Sequence, residues 1–298
     1  MDIGIIGVPL KYGCGKEGVE DAPSKLRASN ISKILSSDKN PAIDLGDIYV
    51  PLVPWQDAYR DHQSMRFLNT IKDVNEGLAE KVYTTLQKGT FPFILGGDHS
   101  LALGSIAGSS KFFKKLAVIW IDAHGDINNV ESSPTGNIHG MPLAISMGLG
   151  HPSLTNIFFP GPKILPSDIY IIGARDLDPG EVETIEKEKV NLYTMPKIKK
   201  DGLKNTLKTV VERIKSTGVD GVHLSFDIDA MDESITPGTG TPVKDGFTIE
   251  EARIIIETLF QPSFITSMDF VEFNPRIDDN NKTLELSKKL IGFVAESL

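Results

Sequence analysis

Three short runs of this chain end an apolar stretch in metal-ligand side chains. "FPFILGGDHS" at 91–100 runs into Asp98, His99 and Ser100; "LAVIWIDAHGDIN" at 116–128 into Asp122, His124 and Asp126; "GVHLSFDIDAMD" at 221–232 into Asp227, Asp229 and Asp232. Side chains alternate across a strand, so residues 122, 124 and 126 project to one side if the extended geometry continues. Any one run has a plain alternative: Asp98 or Ser100 could cap a helix, and an Asp-x-Asp pair after a strand is often a turn. Gathered at one rim, however, Asp122, Asp126, Asp227 and Asp229 bring four negative charges, which a partly buried pocket cannot keep ionised without cations. Two divalent ions balance them. Hard oxygen donors with imidazoles and no thiolate suit magnesium, manganese, iron or zinc. Two ions about 3.5–4 Å apart would lower the pKa of a shared water, which points to metal-assisted hydrolysis.

The elements that must position these residues follow from the pattern of apolar runs. Stretches rich in Ile, Val, Leu, Phe or Tyr predict strands near 2–7, 42–45, 91–95, 116–122, 168–173, 190–193, 220–227 and 264–269. Helical patterns fill 20–35, 64–88, 100–108, 139–148, 179–188, 201–217, 248–259 and 282–296. In "TIEEARIIIETLF", Thr248 and Glu251 have the spacing of a capping box. The alternation predicts an α/β fold, a mostly parallel sheet with helices on both faces, in one domain over 1–298. Parallel strands deliver their carboxyl ends, and whatever follows them, to one rim.

Composition excludes several classes of function. The 298 residues carry a formal net charge of −9, and the pairs Lys114-Lys115, Lys199-Lys200 and Lys288-Lys289 are short and scattered, so a nucleic-acid partner is not expected. No run approaches the roughly 20 apolar residues that span a bilayer, and no basic segment precedes the first apolar run, so a cytoplasmic protein without membrane contact is expected. Cys14 is the only cysteine, which rules out an intrachain disulfide and a cysteine-built zinc site. Among the remaining histidines, His223 lies inside an apolar strand and reads as a hydrogen-bonded core residue, while His62 and His151 read as surface.

The motifs "GGDHS" at 96–100, "DAHGDIN" at 122–128, "SPTGNIHGMP" at 133–142, "SFDIDAMD" at 225–232 and "PGTGTP" at 237–242, in this order, resemble the ureohydrolase family, and above all its arginine-cleaving branch. The similarity runs from "GVPLKYGCGKEGVEDAPSKLR" to "DFVEFNP" at 269–275. The resemblance implies a three-layer α/β/α domain around an eight-stranded parallel sheet, two manganese ions per chain, and homotrimers or homohexamers. It implies His99, Asp122, Asp126 and Asp227 for one ion and Asp122, His124, Asp227 and Asp229 for the other. A hydroxide between the metals would attack the guanidinium carbon of L-arginine, giving L-ornithine and urea. By the same resemblance Asp126 takes and returns a proton, Glu272 pairs with the guanidinium, and His139 shuttles a proton or steadies the substrate.

The resemblance further assigns Asn128, Ser133, Thr135 and Asn137 to the α-carboxylate and Asp178 to the α-amino group, with Thr241 supporting the site through its hydroxyl or fixing a loop. The residue types agree, since hydrogen-bond donors meet the carboxylate and an acid meets the amine. Read without the resemblance, the same segments are a polar turn and a helix start. Asp98 either orients a metal-bound histidine or caps its helix. The chain departs from the common pattern at Met231, Glu233, Thr135 and Asp245, where Leu, Pro, Ser and Gly are frequent. Two alternatives stand beside arginine hydrolysis: a ureohydrolase acting on agmatine or another guanidino compound, and a catalytically silent metal-stabilised oligomer. Retention of all six ligand positions argues against the silent oligomer, and the "SPTGNIHG" loop argues for arginine.

Overall fold

Every residue of Leu116–Ile121 is buried, because Ala117, Ile119 and Ile121 pack into one helical layer while Leu116, Val118 and Trp120 pack into the other. A strand covered on both faces reads as a continuous apolar run, which is how the sequence presents it. The computed structural model of the protein describes residues 1–261 and 264–298. Its strands are β1 (Ile3–Val8), β2 (Ala42–Asp47), β3 (Phe91–Gly96), β4 (Leu116–Ile121), β5 (Ile169–Ile172), β6 (Asn191–Tyr193), β7 (Gly221–Asp227) and β8 (Ser267–Val271). They form one sheet in the order β2-β1-β3-β8-β7-β4-β5-β6, and every pairing is parallel, so the expected mostly parallel sheet is wholly so.

One face is covered by α1 (Ala22–Ala28), α2 (Ile31–Leu35), α8 (Met195–Asp201), α9 (Leu203–Ser216), α10 (Ile249–Leu259) and α11 (Lys282–Ser297). The other is covered by α3 (Leu68–Gln87), α4 (Ala102–Phe112), α5 (Pro142–Ser146), α6 (Pro152–Thr155) and α7 (Pro179–Glu188). The capping box of Thr248 and Glu251 is present at α10. Several expected helices are shorter or divided, each for a local reason. The pattern over 20–35 breaks where Asn30 turns left-handed at φ 63°, and the one over 201–217 is preceded by a separate helix ending at Gly202, φ 84°. Helix α3 starts at Leu68 rather than 64, after left-handed Phe67. Apolar periodicity cannot register such breaks, because the buried face continues across them.

Candidate metal centre and its cleft

The sheet order sets β3, β8, β7 and β4 side by side, so the loops leaving their carboxyl ends share one rim. All three acid-bearing runs turn there by the same device. The first Asp accepts the backbone N–H two residues on: Asp98 Oδ1 from Ser100 at 3.0 Å, Asp122 Oδ1 from His124 at 2.7 Å, Asp227 Oδ1 from Asp229 at 2.8 Å. The expected extended geometry through residue 126 is therefore not what gathers the ligands. Strand β4 ends at Ile121, the chain bends, and Asp126 sits left-handed at φ 47°. Glu272, just past β8, is also left-handed at φ 63°. Non-glycine residues held there by their surroundings are a mark of functional sites. Gly97 lets β1 and β3 close up beneath the rim, since a Cβ would lie 1.9 Å from the Leu10 carbonyl oxygen.

Two ligand groups result, His99 with Asp122 and Asp227, and His124 with Asp122 and Asp229, so Asp122 belongs to both. His99 Nδ1 lies 3.2 Å from Asp122, 3.0 Å from Asp126 and 3.1 Å from Asp227, yet is aligned for a hydrogen bond with none of them. A buried nitrogen facing three carboxylate oxygens in this way fits a cation at their centre. His124 Nδ1 lies 3.1 Å from Asp229 and 3.4 Å from Asp122. With Nδ1 kept for an ion, His99 Nε2–H donates to Ser225 Oγ at 2.8 Å. The indole of Trp120 stacks on His99 at 3.9 Å and donates from Nε1 to Asp122 Oδ2 at 2.9 Å, fixing both ligands.

Electrostatics give the same answer. Burial works against charge on His99, but Asp122, Asp126 and Asp227 overcome it and drive its pKa well up. His124 is likewise driven up, against burial, by Asp229 and Asp122. Asp126 is raised to about 6 by burial and by Asp122, and Asp227 is pushed well up by burial, Asp229 and Asp122. Left to itself, the protein gathers protons where the charge balance calls for cations.

A cleft of about 310 Å³ opens over this centre. His124, Asp126, Asp227 and Asp229 line it together with His139, Glu272 and all six residues expected to hold substrate: Asn128, Ser133, Thr135, Asn137, Asp178 and Thr241. Ser133 Oγ accepts from Gly136 N at 3.1 Å and Thr135 Oγ1 from Asn137 N at 3.2 Å, which leaves both hydroxyl hydrogens to donate. Asn128 Nδ2 donates to Asp178 Oδ2 at 2.9 Å, so the groups expected at the two α-substituents orient each other. Thr241 Oγ1 donates to Asp229 Oδ2 at 2.9 Å. Asp98 does not reach the His99 ring; it caps the turn and anchors the Gly13 N–H at 2.8 Å.

Of the other histidines, His223 sorts as expected and the remaining two do not. His223 is buried between Ser267 Oγ at 2.8 Å and Asp269 Oδ2 at 3.0 Å. His62 and His151 are half-buried rather than simply surface, their rings in edge contact at 5.3 Å. Sequence reasoning missed Trp120, Ser225, Glu181 and Lys16. Ser225 could have been found, two residues before Asp227 on the same strand face. Buried Glu181, raised to about 7 by burial and Asp126, closes a capping box on α7 and accepts Ile127 N at 3.2 Å. Its place at the third position after Asp178 was a readable signal. Lys16 on the cleft wall gave none.

Fold and site together define an α/β metal-dependent hydrolase with its ligands at the carboxyl rim of a parallel sheet. The model of the arginase family matches residues 1–295, and the chain belongs to that family. It is 43% identical over 294 residues to the arginase of Bacillus caldovelox, covering 97% of this chain and 96% of that protein. The crystal structure of Bacillus cereus arginase superposes with a TM-score of 0.92 at 38% identity, covering 99% of this chain and 98% of that one. Entamoeba histolytica arginase, solved in complex with L-ornithine, gives 0.89 at 33% identity, covering 98% and 97%.

Proposed function

We propose that this protein hydrolyses L-arginine to L-ornithine and urea with two manganese ions per chain. The observation that carries the reading is the single cleft in which the acid-and-imidazole centre stands beside the preset hydroxyls of Ser133 and Thr135 and the Asn128–Asp178 pair. Similarity to proteins named arginase, one of them crystallised with ornithine, supports it. His99, Asp122, Asp126 and Asp227 would hold one ion, and Asp122, His124, Asp227 and Asp229 the other. When bound, such a pair lowers the pKa of a shared water and so supplies a nucleophile at neutral pH. Glu272 holds the guanidinium with its carbon toward the centre. Asp126 takes the water's proton and passes it toward the departing amine. His139, tied to Glu272 through Nδ1, has Nε2 free to move a proton at the leaving nitrogen. Asn128, Ser133, Thr135 and Asn137 hold the α-carboxylate, Asp178 the α-amino group, and Thr241 steadies Asp229. The unit is one catalytic domain over 1–298, cytoplasmic, working as a homotrimer or homohexamer. Among the described residues no helix is long and apolar enough to cross a membrane.

Urea release from a panel of guanidino compounds by manganese-loaded protein tests this reading. Agmatine shares the guanidinium and lacks the carboxylate, and a site built to hydrogen-bond a substrate group rejects an analogue without it. With some water entry at the open cleft, arginine is expected to lead by at least about 10² in kcat/KM. The double variant Asn128→Ala with Thr135→Ala should erode arginine turnover and leave the agmatine rate nearly unchanged. Comparable specificity constants for the two compounds in the unmutated protein would overturn the proposal.

A further inference from the structure

The cleft is lined by six carboxylates, and Lys16 is the single lysine or arginine among its lining residues. Three of the six, Asp178, Glu181 and Glu272, lie outside the proposed ligand set, so the walls keep some attraction for cations when the ions are in place. Such walls rank guanidino compounds by positive charge. A decarboxylated amine carries two positive charges where the amino acid carries a net one, and so the walls alone favour the wrong compound. The hydrogen bonds to the carboxylate work against that order, and a positive charge at the mouth would add to them.

We infer that Lys16 is a specificity-determining residue, its ammonium placed at the cleft mouth to attract the carboxylate end of the substrate and repel a free amine there. The segment that presents it is tied down on both sides. Gly13 N donates to buried Asp98 at 2.8 Å, His139 N donates to Gly13 O at 3.2 Å, and Asn137 Nδ2 donates to Cys14 O at 3.3 Å. Gly15 packs so closely on Arg66 and Asn137 that a Cβ would lie 2.7 Å from Arg66 Nη1 and 3.2 Å from the Asn137 amide oxygen, at a φ of 68°. Arg66, which is not among the cleft-lining residues, spends that nitrogen on Asn137 Oδ1 at 3.1 Å. Lys16 follows directly on Cys14 and Gly15, which lie against Asn137, one of the residues assigned to the carboxylate, and its ammonium reaches the Gly240 carbonyl next to Thr241. That bond uses one of the three ammonium hydrogens, and the exposed side chain keeps the others for an incoming anion. The backbone ties set where the side chain starts, and the bond to Gly240 sets the ammonium at the mouth.

The inference rests on the carboxylate-binding reading above, and the test separates the two. Lys16→Met and Lys16→Arg are compared with the unmutated holoenzyme for arginine kinetics and for inhibition by ornithine and by 1,4-diaminobutane, a pair differing in the carboxylate, between about 20 and 300 mM salt. An exposed charge pair of this kind changes binding by about 1.5- to fivefold. Lys16→Met is expected to raise the arginine KM and the ornithine inhibition constant by that factor at low salt, with kcat kept within about twofold. Inhibition by 1,4-diaminobutane should hold or tighten, Lys16→Arg should restore ornithine binding, and the difference should fade with salt. Equal changes for both inhibitors, or none for ornithine, overturn the role of Lys16. If the unmutated protein prefers agmatine, the arginine reading falls, and the ornithine-to-diaminobutane ratio still decides Lys16.

Discussion

His139 and Glu272 form an ion pair on the cleft wall, Nδ1 to Oε1 at 3.2 Å, and the same carboxylate oxygen accepts the backbone N–H of His99 at 2.8 Å. Glu272 thereby joins the imidazole proposed to move protons to the turn that bears a ligand. Burial works to lower the His139 pKa, but the Glu272 carboxylate outweighs it and lifts the imidazole to about 9.

The raised value has a definite sign. Stability from the pair is fully present below the ordinary imidazole value near 6.5 and is lost as pH rises through about 9. In Glu272→Gln the largest of the groups that raise it is gone while the burial stays, so the His139 pKa should fall from about 9, with Asp126 and Asp98 still holding it up in part. NMR titration of the His139 ring protons in metal-free protein reads this directly. An unchanged midpoint in the variant would show that Glu272 does not set it.

Asp126 and His139 divide the proton work differently, and two variants separate them. Asp126→Asn removes a ligand charge together with the proposed proton carrier, so metal content and activity should fall together. His139→Asn leaves every proposed ligand in place and should retain both ions while losing rate by about 10²–10⁴. Elemental analysis beside steady-state assay distinguishes the outcomes. Loss of metal from His139→Asn would contradict the assignment.

Chelation should abolish urea release and lower the melting temperature, because buried ligand groups within 4.8 Å of one another lose the cations that balance their carboxylates. Manganese should restore both. Ser225→Ala keeps every ligand but removes the acceptor that orients His99, and second-layer changes of this kind cost about 10–100-fold in metal affinity. Isothermal titration with manganese measures it, and affinity equal to that of the unmutated protein would mean that Trp120 stacking alone fixes the ring.

All eight strands and the acid-bearing runs were legible in the sequence, because a strand buried on both faces leaves an unbroken apolar word and the ligands stand directly after it. Alternation was the wrong reason for their meeting. The Asp-initiated turns at 98, 122 and 227 do the gathering, and their signal, a carboxylate two residues before its backbone donor, is indistinguishable in sequence from an ordinary loop. Sheet order was not legible either, since nothing local in "SMDFV" announces that it inserts between β3 and β7. Trp120 read as one more apolar letter of β4, and its contacts with His99 and Asp122 depend on that unseen neighbourhood. Asp245, standing where glycine is frequent in the resemblance, adopts φ 62° and keeps the left-handed turn.

The order β3-β8-β7-β4 also governs when the site can come into being during synthesis. Residues 1–150 contain His99, Asp122, His124 and Asp126, but β3 and β4 are not neighbours in the finished sheet; β8 and β7, which come late from the ribosome, lie between them. A nascent chain therefore has four of its six proposed ligands long before His99 can face the others, and the gap closes when Ser267–Val271 slots in. Ion uptake should follow that insertion, since the two groups of ligands meet only across the inserted pair. The last strand to emerge thus acts as a latch, timing metallation to the completion of the sheet.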